Sequence, residues 1–234
     1  MVATVHILSG GAAKGLVGAL EARLLEQHGH AVTGTFGAVG VMKDHLLAGA
    51  PCDVLILTDA LIAELTASGQ LRPGSAQALG RVKTGVAVKA GAAQPAIDSP
   101  AELKAALQAA SAIYLPDPVK ATAGIHVMNV LRQLGIAEEV ADRLRPFPNG
   151  ATAMREMATA TGDGVIGCTQ VTEILYTLGV QLVGPLPRAF ELATVYTAAV
   201  CTRAGAPEAA LQLIDLLAGA DAAALRREGG FEPL

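Results

Sequence analysis

Four short stretches of this chain place glycine next to small, hydroxyl or amide residues just where an apolar run gives way to a helical pattern. They are Ser9-Gly10-Gly11, Gly37-Ala38-Val39-Gly40, Thr122-Ala123-Gly124 and Asn149-Gly150-Ala151-Thr152. At a helix start the first backbone N–H groups lack intrahelical partners, and the helix dipole adds positive potential, so such turns attract anions. Ordinary capping, which Ser, Thr and Asn favour, accounts for any one of them alone. Their number makes the case. In an open parallel sheet the loops at the strand carboxyl ends gather over one crevice, where four such turns can converge on one small anion. Further candidates are Thr58 before a helix, Thr84 in the strand Lys83–Val88, and Thr169-Gln170 in a polar turn.

Three cationic or titratable residues stand close to these turns. Lys14 follows the first one in "SGGAAKG", which is no phosphate-binding P-loop because the Gly-Lys-Ser/Thr ending is missing. Lys120 lies in the loop before Thr122, within reach of a carboxylate. His126 falls in the first turn of the next helix, where it serves either as a structural group or as a donor and proton shuttle. Metal chemistry has little support: His28 and His30 have no third ligand nearby. There is no GxSxG elbow, Cys168 reads as a small buried residue, and Asp53 and Glu173 read as structural hydrogen-bonding groups. No cofactor motif is present.

These residues need a frame. Apolar runs at Val2–Leu8, Ala31–Phe36 and Asp53–Leu57 alternate with helical patterns in which Leu16, Leu20 and Leu24 share one face. That rhythm predicts parallel strands with crossover helices. Lys83–Val88 reads as the strand leaving a first α/β lobe, and Thr194–Cys201 as the strand returning. Between them come a capping box at Ser99-Pro100-Ala101-Glu102, a strand at Ala112–Leu115 and helices at Ile125–Leu134, Ala137–Leu144 and Asn149–Ala160. A strand at Gly164–Gly167, a turn at Cys168–Gln170, a helix at Val171–Leu178 and a strand at Gln181–Val183 complete the second lobe. Helices at Pro207–Leu217 and Asp221–Arg226 close the chain. The fold class is therefore α/β, with lobe 1 from 1–83 plus 197–234, lobe 2 from 84–196, and the ligand cleft between them.

Composition narrows the function. The 234 residues are 52% hydrophobic and 16% charged, which excludes a disordered chain, and the net charge of −4 with no basic run gives no footprint for nucleic acid. Aromatics at 3% supply few stacking platforms for single strands. No apolar run reaches the roughly 18–20 residues of a membrane helix, and the N-terminus lacks a signal-peptide pattern. The expectation is a cytoplasmic protein, or a periplasmic one whose export signal has been removed. Cys52, Cys168 and Cys201 fit free thiols in a reducing compartment, with one disulfide plus a free thiol as the alternative.

The segments "LSGGAAKGLVGALEARL", "GTFGAVGVMKDHLLAGAPCDVLILTDALIAEL" and "GRVKTGVAVKAG" resemble the type II periplasmic-binding-protein fold, and its molybdate-binding branch in particular. The resemblance covers essentially the whole chain. It implies two Rossmann-like lobes joined by two hinge strands near Thr84 and Thr194, a small anionic ligand between them, and an ABC transporter as partner if the protein is exported. Ser9 matches the serine with which that branch holds its oxyanion. Val39 stands where the branch has a second serine, and no tyrosine stands near Cys168-Thr169. A missing donor leaves an oxyanion lone pair unsatisfied at roughly 1–3 kcal/mol, which disfavours molybdate. The phrases "ATAGIH", "PFPNGATAM" and "GCTQVTEIL" look more like a divergent branch similar to aconitate isomerase. That resemblance implies a second function: shifting a double bond within a tricarboxylate by proton transfer, with Lys14, Lys120 and His126 as candidates.

Overall fold

The structure is a computed structural model that describes residues 3–234; Val2 lies outside the described residues. In chain order the first elements are β1 (Thr4–Gly10), α1 (Lys14–His28), β2 (Ala31–Gly37), α2 (Val39–Leu47), β3 (Val54–Thr58), α3 (Asp59–Ala67) and β4 (Gln77–Lys89). Next come α4 (Pro100–Ala109), β5 (Ala112–Pro116), α5 (Thr122–Gln133), β6 (Leu144–Phe147), α6 (Gly150–Thr159), β7 (Val165–Gln170), α7 (Val171–Leu175) and β8 (Val180–Pro185). The chain closes with β9 (Ala193–Val200), α8 (Pro207–Ala218) and α9 (Ala223–Glu228). These elements form two compact units. One holds residues up to Val82 and from Thr194 onward, and the other holds Lys83–Ala193.

In the first unit β1 lies between β2 and β3, parallel to both, and β9 runs antiparallel on the far side of β3. β3 and most of β9 are buried on both faces and read as near-continuous apolar runs, whereas β2 at the edge is largely exposed. Leu16, Leu20 and Leu24 pack inward from α1, as their spacing predicts, and meet the core formed by Ile7, Leu55, Leu213 and Ile214. Gly29 stops α1 in the left-handed conformation (φ 70°) and donates its N–H to Leu25 O at 2.9 Å. Asp53, buried just before β3, accepts from His6 N at 2.7 Å and Ala206 N at 3.0 Å. It thereby ties β1 to the start of α8, a structural role as expected.

In the second unit β5 lies between β6 and β7, parallel to both, and β4 runs antiparallel to β7 and β8. One face is covered by an aliphatic cluster that includes Val86, Leu103, Leu107, Ile113 and Leu131; the other by Met154, Met157 and Ile174. α4 begins with the expected capping box, in which Glu102 N donates to Ser99 Oγ at 3.2 Å and Ser99 N donates to Glu102 Oε2 at 2.9 Å.

Several expectations are corrected. Ala137–Leu144 is no helix: a 3-10 turn at Ala141–Arg143 leads into strand β6. Four residues containing Pro146 carry no readable period. They become a strand because β5 offers a parallel edge, which tolerates proline, and Tyr114 stacks on Phe147 at 5.8 Å between ring centroids. Cys168-Thr169-Gln170 is not a turn but the buried end of β7, held because Cys168 and Gln170 lie opposite Val86 and Thr84 on β4. Helices α2 and α5 begin at Val39 and Thr122, so those candidate residues lie in first helical turns rather than loops. Antiparallel pairing by β9, β4 and β8 interrupts the all-parallel expectation. Among the described residues no helix is long and apolar enough to cross a membrane.

Candidate functional site

In the first unit three parallel strands end side by side, with Gly10 opposite Gly37 and Ser9 opposite Ile56, two residues before the end of β3. Each runs straight into a helix: a 3-10 turn at Gly11–Ala13 leading to α1, then α2 and α3. None of these starts has a side-chain cap. The α1 and α2 starts also carry no acidic residue in their first turns, whereas α3 holds Asp59, which accepts from Thr197 Oγ1 at 3.0 Å. The backbone N–H groups at Gly11–Ala13 and Val39–Gly40 are therefore the anion-ready ends of this unit.

Ser9 is fully buried and donates its hydroxyl to Gly10 O at 2.8 Å, a local bond between neighbours. Gly10 is a contact point: a Cβ there would lie 2.9 Å from Val39 Cγ1 and 3.0 Å from Tyr196 Cε1. The turn thus sits against an isopropyl group where a serine hydroxyl would make it a donor. Tyr196, buried on β9 opposite Thr58, is a hydroxyl-bearing neighbour that the sequence reading missed. Its signal was a lone aromatic in the otherwise small-residue run "TVYTAAV". Thr58 is half-buried at the α3 start, and Lys14 is exposed, with Nζ 6.0 Å from the Phe36 ring centroid.

In the second unit α5 presents Thr122, Ala123 and Gly124 in its first turn, uncapped and without an acid. Gly124 is required there because a Cβ would strike Asp117 O. Asp117 Oδ1 accepts from Val119 N at 2.7 Å and Lys120 N at 2.9 Å, which shapes the loop ahead of the helix. The Lys120 side chain is exposed. His126 is tied down, with Nε2 2.7 Å from Phe190 O, so it donates there and pins α5 to the 3-10 turn Arg188–Phe190.

The Asn149–Thr152 turn differs from the other three. Asn149 Oδ1 accepts from Thr152 N at 2.9 Å, and buried Glu173 Oε1 accepts from Ala151 N at 3.3 Å. Glu173 also accepts from Gly150 N, Gln170 N and, through Oε2, Thr169 Oγ1 at 2.6 Å. The α6 start therefore holds a carboxyl of the chain's own, and Asn149, Gly150 and Thr169 have hydrogen-bond partners within the chain. Burial pushes the Glu173 carboxyl above its ordinary range, and these hydrogen bonds pull partly against it. Burial and the nearby Glu173 also raise the Tyr176 phenol.

Thr84 and Thr172 have a different character. Both are about 1–2% exposed, and neither hydroxyl oxygen has a hydrogen-bond partner. The Thr84 backbone is engaged, with N donating to Leu192 O at 3.1 Å and O accepting from Leu186 N at 3.0 Å. Gln170, its neighbour across β4 and β7, is buried beside it. Buried hydroxyls left without partners are costly, roughly 1–3 kcal/mol each, and call for a reason. A cavity of about 540 Å³ in this unit is lined by Val165 and Ile166 at the start of β7, the opposite end of that strand from Gln170, and one of about 630 Å³ is lined by Pro185, Leu186 and Glu191.

The chain is similar to several known proteins. An aconitate isomerase from a Pseudomonas species is 28% identical over 197 residues, covering 82% of this chain and 72% of that protein. The periplasmic molybdate-binding protein of Azotobacter vinelandii superposes with a TM-score of 0.81 at 20% identity, over 98% of this chain and 99% of its own. The sulfate-binding protein of Mycobacterium tuberculosis H37Rv gives 0.76 at 16% identity, over 99% and 87%. These structures show a shared fold, that of the type II periplasmic binding proteins. Residues 5–232 match the family described as bacterial extracellular solute-binding protein, and the chain belongs to that family.

Proposed function

We propose that this chain binds a small anion, an oxyanion or a di- or tricarboxylate, as solute-binding proteins do. The observation that carries the reading is the set of uncapped, acid-free helix starts at the ends of β1 and β2, beside fully buried Ser9. In the second unit the α5 start and the unpartnered hydroxyl of Thr84 support it. The relatives named for molybdate and sulfate support an oxyanion. Val39 counts against a tetrahedral oxyanion, which loses a hydroxyl donor at that turn, and so favours the carboxylate.

A second reading is an isomerase of the aconitate type, favoured by the 28% identical relative of that name. Lys14 and Lys120 would then attract carboxylates. His126 would serve through Nδ1, since Nε2 is tied to Phe190 O. The two readings differ in compartment. A binder serving an ABC transporter works outside the cytoplasm, which the family description supports, whereas an isomerase acts on a metabolite inside. Thermal-shift screening with molybdate, sulfate, citrate and cis- and trans-aconitate, followed by NMR of each carboxylate hit, separates them. Stabilisation without conversion is expected for a binder; double-bond migration overturns that reading, and stabilisation by molybdate alone overturns the isomerase.

A further inference from the structure

The first unit holds a pair of thiols that neither reading uses. Cys52 lies just before β3 and Cys201 just after β9, 149 positions apart, with their sulfurs 3.2 Å from each other. The two strands bring them together: Cys201 N donates to Asp53 O at 2.9 Å, continuing the β3–β9 ladder past Val54 opposite Val200. Both are buried, Cys52 at 8% exposure and Cys201 at 2%. Cys168 is buried in the other unit, so the pairing is unambiguous.

We propose that Cys52 and Cys201 are a disulfide-forming pair, oxidised when the chain folds in the presence of a disulfide oxidant. The chemistry is thiol–disulfide exchange. The Cys52 thiolate attacks one sulfur of the oxidant's disulfide, breaking that S–S bond and releasing one thiolate. The Cys201 thiolate then attacks the Cys52 sulfur of the mixed disulfide, forming the Cys52–Cys201 bond and releasing the second. Two electrons reduce the oxidant, and the two cysteine protons end on its two thiols. Cys52, the more exposed, is the entry point. The Cys201 thiol is raised by the hydrogen bond to Cys52, by burial and by the charges of Cys52 and Asp53. A buried thiol reacts slowly, so the bond forms during folding and resists reduction afterwards.

The placement gives the bond a purpose. The first unit is built from two chain segments, and the whole second unit is inserted between them. A Cys52–Cys201 bond fastens those segments together across the insertion. It closes a loop long enough for the largest class of entropic stabilisation.

The test is refolding of the full chain from urea in glutathione disulfide with reduced glutathione, against refolding in excess reductant. Expected are one titratable thiol in the denatured oxidised protein against three in the reduced, a peptide linking Cys52 to Cys201, and a Tm about 5–10 °C higher on oxidation. Cys52→Ala and Cys201→Ala should each remove the redox-dependent Tm difference. Three titratable thiols after oxidative refolding, or a bond involving Cys168, would overturn the assignment.

Discussion

Thr169 donates its hydroxyl to Glu173 Oε2 at 2.6 Å, and that one bond decides what the α6 start is for. With Thr169 at its side, Glu173 takes the N–H groups of Gly150 and Ala151, so a side chain of the protein stands where an external anion would otherwise be drawn. The same carboxylate blocks substitution at Gly150, where a Cβ would strike Thr169 Oγ1 and Glu173 Oε2.

Glu173 therefore gives the chain a readable pH response. Its folded-state pKa is raised above the ordinary 4.5, with burial the largest cause. Between those values the folded chain binds the proton more tightly than the unfolded chain does. The contribution is fully present below about pH 4.5 and is lost as pH rises through the folded value. Glu173→Gln should abolish that part of the slope. Urea midpoints of wild type and variant between about pH 4 and 8 check this. Parallel curves for the two proteins would show that Glu173 does not titrate as argued.

Thr84 separates ligand binding from stability. Its buried hydroxyl has no partner, and valine preserves its shape. Thr84→Val should raise the ligand-free stability by about 1 kcal/mol, since it removes an unsatisfied polar group. If the hydroxyl meets the anion, affinity for whichever carboxylate or oxyanion stabilises the wild type should fall about tenfold. Calorimetry and denaturation on the same samples check both signs. Unchanged affinity would make Thr84 a purely structural residue.

Local signals were legible in the chain and distant ones were not. Leu16, Leu20 and Leu24 announced α1, and Ser99 with Glu102 announced α4, because helical spacing and capping boxes are written within a few residues. The β6 strand depended on β5, and the strand character of Thr169-Gln170 depended on β4, so neither left a local mark. The same limit hid the fourth turn's occupant: Glu173 lies 22 positions from Ala151, the helix start it serves. Of the candidate site, Ser9, Gly10 and Thr122–Gly124 were visible as turn chemistry. Tyr196 was not, because only the β9 register places it opposite Thr58 and its ring beside Gly10.

His126 offers a test of the second reading. The Nε2 bond to Phe190 O makes it a structural tether in the first instance. His126→Ala should cost about 1 kcal/mol of stability through the lost hydrogen bond, with carboxylate affinity unaffected. In an aconitate-type enzyme, loss of a proton-transfer group should instead lower turnover by about 100-fold or more at unchanged KM. Single-turnover NMR with cis-aconitate distinguishes the two, because a tether alone leaves the rate per folded molecule intact.

The proposed anion site can be tested for its ligand class at Ser9 and Val39. Ser9→Ala removes a buried hydroxyl whose present partner is only the adjacent carbonyl of Gly10, so the fold should lose about 1 kcal/mol or less. Affinity for the preferred anion should fall about tenfold, because an anion is a stronger acceptor than that carbonyl. Val39→Ser is the reverse change. It puts a donor at the α2 start, next to Gly10, in place of an isopropyl group. The variant should gain affinity for molybdate or sulfate by about tenfold while its carboxylate affinity changes little, since a tetrahedral oxyanion turns an oxygen towards donors on every side whereas a single carboxylate group presents two. Titration of both variants against both ligand classes checks this. Equal gains for oxyanion and carboxylate would mean that the α2 start contributes charge rather than a counted donor, and that the preference is decided in the other unit.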